Sequence, residues 1–200
     1  MNQFFTYISN ISNELTANEQ LLNQLDGSIG DGDHGTNFVR GFKAIVAKKD
    51  QFIENQSIDK SLMICAQTLM STVGGTSGAL LATAMMKMAV VFKNSPAINN
   101  QVMASGLQAA EDGILNLGRT KLGNGTMLDA IHPTIEAFKN SNDSLNFKGA
   151  YEAALKGAQD TIAMKKLSGR ASYLGDRSIN NMDPGAKSIS LIFKALSETK

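Results

Sequence analysis

Asp26, Asp31 and Asp33 fall within eight residues of one another in the stretch LDGSIGDGDHGTN, with no cation between them. Unpaired carboxylates folded into one turn repel and raise one another's pKa, and a bound divalent cation removes that strain. Carboxylate oxygens suit a hard cation, and Mg²⁺ takes one or two carboxylates per ion and completes its shell with water and phosphate. Magnesium together with a nucleotide is therefore the natural completion of this stretch. A calcium loop is the weaker fit, because the fifth position is Gly35 and no matching distal Glu follows. A surface turn whose Asp-Gly pairs serve only local geometry is the structural alternative.

The same residues spell G-x-G-x-x-G with Gly30, Gly32 and Gly35. That fingerprint binds a dinucleotide only where a strand enters the loop and a helix leaves it. Upstream, Phe4, Ile8, Ile11 and Leu15 recur at a helical period, and Thr16 to Glu19 reads as a capping box opening a second short helix to Leu25. A helix enters the loop, so the dinucleotide reading fails on context.

Further glycine-rich stretches also precede helices. Gly74-Gly-Thr-Ser-Gly78 offers backbone N–H groups and two hydroxyls at a helix start, which makes Thr76 and Ser77 phosphate candidates. N-capping is their compatible structural role. Gly123-Asn-Gly-Thr126 and Asp183-Pro-Gly185 make similar entries, and Arg170 and Arg177 lie in the last segment, GRASYLGDRSINNMDPGA. Phosphoryl transfer spreads negative charge over the transferring oxygens, so either arginine is a candidate to stabilise it. Pairing with Asp176 or Asp183 to brace a long loop is the alternative. The chain has no G-x-x-x-x-G-K-[ST], no protein-kinase catalytic loop and no G-x-S-x-G elbow. His34, inside the acidic loop, can hydrogen-bond a phosphate or a carboxylate, whereas His132 before Pro133 reads as a structural helix-face residue.

The elements that must position these groups are helices. Apolar stripes at helical spacing cover about 38–46, 58–73, 77–92, 98–117, 127–139, 147–166 and 186–198, which with the N-terminal pair predicts an all-α domain of about eight helices. No segment alternates with period two. Pro133 is expected to kink its helix, Asn94-Ser-Pro96 and 140–144 read as plain connections, and Met85, Met86 and Met88 read as core packing. The four glycine loops can then meet at one end of a helical bundle.

A length of 200 residues suggests one domain, 1–200, and a net charge of +1 without a basic patch argues against nucleic acid. The single Cys65 in an apolar run reads as a buried thiol in a reduced compartment. The N-terminus has no basic region ahead of an apolar one, and the run from Ala79 to Phe92 contains Lys87 and is shorter than the ~20 residues of a bilayer span. The expectation is a cytoplasmic protein without membrane insertion.

Taken in order and spacing, LDGSIGDGDHGTN, GGTSGAL, GNGTMLDA and GRASYLGDRSINNMDPGA resemble the ADP-binding subunit L of phosphotransferase-dependent dihydroxyacetone kinases, a unit also found as the nucleotide domain of ATP-dependent dihydroxyacetone kinases. The likeness runs from about residue 20 to 190. It implies a closed antiparallel barrel of about eight helices with the nucleotide capping one end on two Mg²⁺ ions. By position, Asp26, Asp31 and Asp33 would ligate the metals. His34, Gly35, Thr36, Asn37, Thr76, Ser77, Gly118, Met127, Arg170, Asp183, Pro184 and Gly185 would surround ADP or ATP. The resemblance further implies two partners: a subunit K that holds dihydroxyacetone on a histidine, and a subunit M that rephosphorylates the bound ADP. A homodimer is a further expected assembly. The short chain fits the separate-subunit arrangement better than the fused one. It departs from the family pattern at Asn181 (usually histidine), Gly125 (usually lysine) and Leu81-Ala82 (commonly an aromatic and a glycine). Readings adjacent to the main one are a kinase subunit for another small ketose or a fatty acid, and a nucleotide-loaded regulatory module.

Overall fold

The structure, a computed structural model, describes residues 3–54, 57–141 and 144–199. Among the described residues it contains helices and no strand. The order is α1 (Gln3–Ala17), α2 (Glu19–Ile29), α3 (His34–Val46), α4 (Lys49–Glu54), α5 (Ile58–Thr72), α6 (Gly75–Lys93), α7 (Asn100–Gly118), α8 (Leu128–Lys139), α9 (Phe147–Asp160) and α10 (Pro184–Glu198). Two 3₁₀ segments, Thr161–Ala163 and Arg170–Ser178, lie between α9 and α10.

Each helix buries the stripe its sequence period defines. In α1, Phe5, Ile8, Ile11 and Leu15 are buried, and they meet Phe38, Phe42 and Ile45 of α3 in one apolar cluster. A second cluster joins Leu128, Ile131, Ile135 and Phe138 of α8 to Ala150, Ala154 and Ala158 of α9. Ile192 and Leu196 of α10 touch both clusters. Burying one such Leu, Ile or Phe side chain contributes about 1.5–3 kcal/mol, so the two clusters carry most of what holds the helices together. Neighbours pack in the series α1 on α3, α3 on α5, α5 on α6, α6 on α7, α7 on α8, α8 on α9, α9 on α10 and α10 on α1.

Pro133 sits inside a continuous α8. Lacking an N–H, it leaves the carbonyl four residues back, that of Asp129, without its helical donor. Gly157 of α9 lies against that carbonyl so closely that a Cβ there would collide with it. The proline and the glycine together let α8 and α9 approach backbone to backbone.

Several local expectations are corrected. The predicted capping box does not form: Thr16 Oγ1 donates to the Ser12 carbonyl within α1, and Asn18 precedes α2 without a side-chain cap. Helix α2 continues past Leu25 to Ile29, which puts Asp26 on a helix rather than in a loop. The predicted helix over 147–166 ends at Asp160, because the Thr161 hydroxyl is committed to the Ala158 carbonyl and to the Asp183 N–H, and the chain turns inward there. The short α4 was not anticipated; its Phe52 packs against the rings of Phe4 and Phe5 at 6.0 and 5.9 Å. Helix α6 is long and apolar enough, by length and composition, to cross a bilayer, yet here it packs between α5 and α7. Cys65 is fully buried in the first cluster, and burial pushes its thiol up to about 12.

Candidate functional site

The acidic loop is shaped by Asp26. From the last turn of α2 its Oδ2 accepts the N–H groups of Gly32 at 2.8 Å and Asp33 at 3.0 Å. Gly32 adopts φ +79°, which a glycine reaches without steric cost. The chain thereby curls around the first carboxylate and brings up the other two. Asp26, Asp31 and Asp33 offer oxygens that all lie within 4.8 Å of one another, a set suited to a hard divalent cation. Burial raises the Asp26 carboxyl above its ordinary range and the neighbouring Asp31 adds to this, while the donated N–H groups of Asp33 and Gly32 pull it back.

These carboxylates open onto a cleft of about 490 Å³. Three helix starts reach its wall: His34 and Asn37 from α3, Gly75, Thr76 and Ser77 from α6, and Pro184 and Gly185 from α10. Gly74 before α6 has no side chain to cap with, so the backbone donors of that first turn remain for a ligand, whereas in α3 the Thr36 N–H goes to Asn23 Oδ1 at 3.1 Å and the Asn37 N–H to the Asp33 carbonyl at 2.9 Å. Unfilled N–H groups and the positive end of the helix dipole make such starts anion sites. A Cβ at Gly74 or Gly75 would meet nothing within 4 Å, so what glycine supplies at Gly75 is the φ of +74°.

His34 is buried. Its ring stacks on Phe38 with centroids 4.3 Å apart, and Nε2 lies 2.9 Å from Ser188 Oγ of α10. Burial lowers its pKa to about 4, with Asp33 opposing, so the imidazole is neutral at physiological pH. At the start of α10, Asp183 Oδ1 accepts the Ala186 N–H at 2.7 Å. Burial pushes this carboxyl up to about 7; the Ala186 N–H and Lys166 pull it down, and Asp129 and Asp26 push it up. Asp129 of α8 accepts from Gly123 N at 2.6 Å and Thr126 N at 2.8 Å, which folds the turn leading to Met127 on the wall. Arg170 comes in from the second 3₁₀ segment and pairs with Asp31, and Asp176 pairs instead with Lys165 at 2.8 Å.

Of the residues singled out in the sequence, Asp26, Asp31, Asp33, His34, Asn37, Thr76, Ser77, Gly118, Met127, Arg170, Asp183, Pro184 and Gly185 line this one cleft. Gly35, Thr36 and Arg177 do not. Gly35 is pressed against the Glu19 carbonyl of α2, and Thr36 donates to Glu19 Oε1 at 3.0 Å, so both face α2. Arg177 is exposed on the outer part of its segment. His132 is half-exposed on α8, with Nδ1 2.9 Å from the buried Glu111 of α7.

Sequence reasoning missed other wall residues. Arg40 lines the cleft, donating to Asn37 Oδ1 at 2.6 Å and to the Thr72 carbonyl at 2.9 Å, so it orients Asn37. Its spacing of three from Asn37 on one helix was the available signal. Leu80 and Ile114 add apolar surface, and Thr120 and Ser168 face each other at 2.6 Å. Nothing in their local sequence marks these four, because the loops and helices that bring them together are far apart in the chain.

A cluster of three carboxylates, helix starts with free amides and an arginine, gathered on a helical bundle, define a site for a cation-bound polyphosphate. The chain matches the DAK2 domain over residues 28–198 and belongs to that family. A protein of Listeria innocua named PEP-dependent dihydroxyacetone kinase 1, ADP-binding subunit DhaL, is 35% identical over 196 residues, covering 97% of this chain and 94% of that protein. Its counterpart in Escherichia coli, PEP-dependent dihydroxyacetone kinase, ADP-binding subunit DhaL, is 33% identical over 199 residues with the same coverage of 97% and 94%. Among solved structures, the dihydroxyacetone kinase of C. freundii in complex with AMP-PNP and Mg²⁺ superposes with a TM-score of 0.77 at 24% identity. The match takes in all of this chain and 34% of that kinase, so the chain spans about a third of its length and shares its fold there.

Proposed function

We propose that this chain is the ADP-binding subunit of a phosphotransferase-dependent dihydroxyacetone kinase. In this reading it holds ADP and ATP in the cleft, receives a phosphoryl group from a phosphoprotein donor, subunit M, and passes it to dihydroxyacetone held on subunit K. One observation carries the reading. The acidic cluster, the open helix starts and Arg170 share a single cleft, in a chain that aligns along 97% of its length with subunits named ADP-binding.

Asp26, Asp31 and Asp33 are the residues that would hold magnesium, and their oxygens within 4.8 Å of one another suit it; we expect two ions. Magnesium, when bound, neutralises charge on the phosphate oxygens. The amides of the first turn of α6, with Thr76 and Ser77, bind phosphate, as does the Gly185 N–H, since Pro184 has none and that of Ala186 goes to Asp183. Neutral His34 fixes the start of α3 to Ser188 without adding charge to the phosphate site. Leu80, Ile114 and Met127 offer apolar surface for an uncharged base. Arg170 carries the catalytic assignment because it lines the cleft, whereas Arg177 stands outside the wall on the same segment.

The same reading takes 1–200 as one nucleotide-binding domain in which α1, α3 and α5 to α10 form a closed antiparallel barrel. Its support is the neighbour series that returns from α10 to α1, and the alternating direction of the helices. Helices α3, α6 and α10 start at the cleft and α8 starts just after Met127 on its wall; α7 ends there at Gly118, and α5 ends two residues before Gly74 of the wall. Asn10 to Thr199 and Glu14 to Lys194 pair α1 antiparallel to α10. A cytoplasmic location, without membrane insertion or nucleic acid, belongs to this reading, and a homodimer is its expected assembly.

The chain by itself turns over no sugar in this account, since the polar groups of the cleft are committed to cation and phosphates. Radiolabel followed from the donor protein to triose tests it. Transfer is expected only when donor, this chain and the dihydroxyacetone-binding subunit are all present. Robust triose phosphorylation by the isolated chain with free ATP would replace the relay by a self-contained kinase.

A further inference from the structure

Lys166 is 1% exposed and stands among the largest fully buried side chains. Lysine is almost never buried so completely unless its charge is met. An ammonium has three N–H donors, and here Nζ donates to the carbonyls of Thr161 at 2.5 Å, Met164 at 3.0 Å and Asn181 at 2.5 Å. Two of these acceptors lie just past the end of α9 and the third lies just before α10. One side chain thus staples both ends of the excursion between these helices. That excursion supplies Ser168, Gly169, Arg170 and Asp183 to the cleft.

The surroundings of Lys166 tie it to a second cleft loop. Its own N–H donates to Ser178 Oγ at 2.9 Å, and the next N–H, of Leu167, donates to the Asn124 carbonyl at 3.1 Å. Its stem runs beneath Gly125, where a Cβ would lie 2.7 Å from Lys166 Cδ. Gly125 has φ +66° and belongs to the turn that Asp129 folds ahead of Met127. A side chain at 125 and the lysine stem cannot occupy that space together. Burial lowers the pKa of the ammonium, against the pull of the Asp183 and Asp129 carboxylates.

We propose that Lys166 is a positioning residue for the cleft: its buried ammonium, admitted by the bare Gly125, holds Arg170 and the Asp183 to Gly185 turn where the ligand is bound. The proposal rests on the nucleotide-binding reading above. Replacing the ammonium with an apolar group leaves three converging carbonyls without a donor, which strains the excursion rather than the helical core.

Titration calorimetry with Mg·ADP, on full-length protein at a temperature where each variant is folded by circular dichroism, tests this. Wild type is measured first; if it binds no Mg·ADP, the nucleotide-binding reading falls and this proposal falls with it. Lys166→Met is expected to keep the helical spectrum and to bind Mg·ADP about 10- to 100-fold more weakly. In Lys166→Ala, n-propylammonium, which matches the atoms removed, is expected to restore binding, and tetramethylammonium at the same concentration is not; a filler of space alone gives no such discrimination. Folded Lys166→Met with wild-type affinity overturns the proposal, as does equal rescue by both cations. Should Lys166→Met fail to fold, Gly125→Ala carries the test: weakened Mg·ADP binding in the folded variant supports the staple, and wild-type binding overturns it.

Discussion

At the end of the bundle away from the cleft, the starts of α7 and α9 are closed by the protein's own side chains. Asn99 accepts the Val102 N–H at 2.9 Å at the start of α7, and Asn146 accepts the Gly149 N–H at 3.1 Å at the start of α9. Asn100 reaches across to the Ser141 and Ser144 carbonyls and accepts the Asn146 N–H. At the cleft end, α6 begins without a side-chain cap, while Asn23 takes the Thr36 N–H of α3 and Asp183 caps α10. Of the positive-φ glycines among the described residues, Gly75 and Gly169 line the cleft, Gly32, Gly123 and Gly125 lie in turns beside it, and Gly175 lies inside the second 3₁₀ segment. A cap stabilises its helix by about 0.5–2 kcal/mol, and the fold leaves this out at α6, whose first turn lines the cleft. The starts of α7 and α9 are finished by folding, and that of α6 is left for a ligand to finish.

The largest effect that would sharpen this contrast is catalytic. Arg170→Ala is expected to slow phosphoryl transfer by about 10³-fold, in the range for loss of a charge-stabilising arginine, when donor, acceptor subunit and variant are mixed and label on triose is followed with time. Arg177→Ala, outside the cleft wall, is expected to change the rate far less. Equal losses at both positions would remove the distinction drawn between them.

Next comes the cation. Asp31→Asn is expected to weaken Mg·ADP binding by at least about 10²-fold, since even an outer-shell partner of a metal ligand is worth about 10- to 100-fold. In the wild type loaded at about 100 times its Kd, chelating the metal with EDTA removes roughly 2.7 kcal/mol of linked stability, which lowers the melting temperature by about 5–10 °C for a chain of this size. An unchanged melting curve would leave the acidic cluster without a metal.

The smallest effect belongs to the far end. Asn146→Ala is expected to cost about 1 kcal/mol and some 2–4 °C in melting temperature, with Mg·ADP affinity unchanged. A loss of affinity there would mean the two ends are coupled, against the division of labour described here.

The helical class and the apolar stripes were legible in the sequence because amphipathic period survives whatever the helices pack against. The stripe Phe5, Ile8, Ile11, Leu15 is buried as its spacing implies. The acidic loop and the glycine stretches were legible because their residue types are poor choices for a core. Helix ends were less so: Thr16 matches a capping signature, yet its hydroxyl bonds back to Ser12 because α1 runs on to Ala17. The stop at Asp160 depends on the Thr161 hydroxyl receiving an N–H from Asp183, twenty-two positions away. Lys166 was invisible for the same reason, since its three acceptors and Gly125 are assembled only in the folded chain. Arg40 was not singled out because its bonds to the Thr72 carbonyl and Asn37 Oδ1 exist only in the folded chain.

Hydrogen exchange of the wild-type chain with and without Mg·ADP tests the contrast between the two ends most directly. The account predicts added protection in the peptides covering residues 26–37, 74–80, 118–128 and 168–186, lost again when EDTA removes the metal, and no change in those covering 94–103 and 140–149. Protection absent from the cleft peptides, or concentrated in the far-end ones, would contradict it.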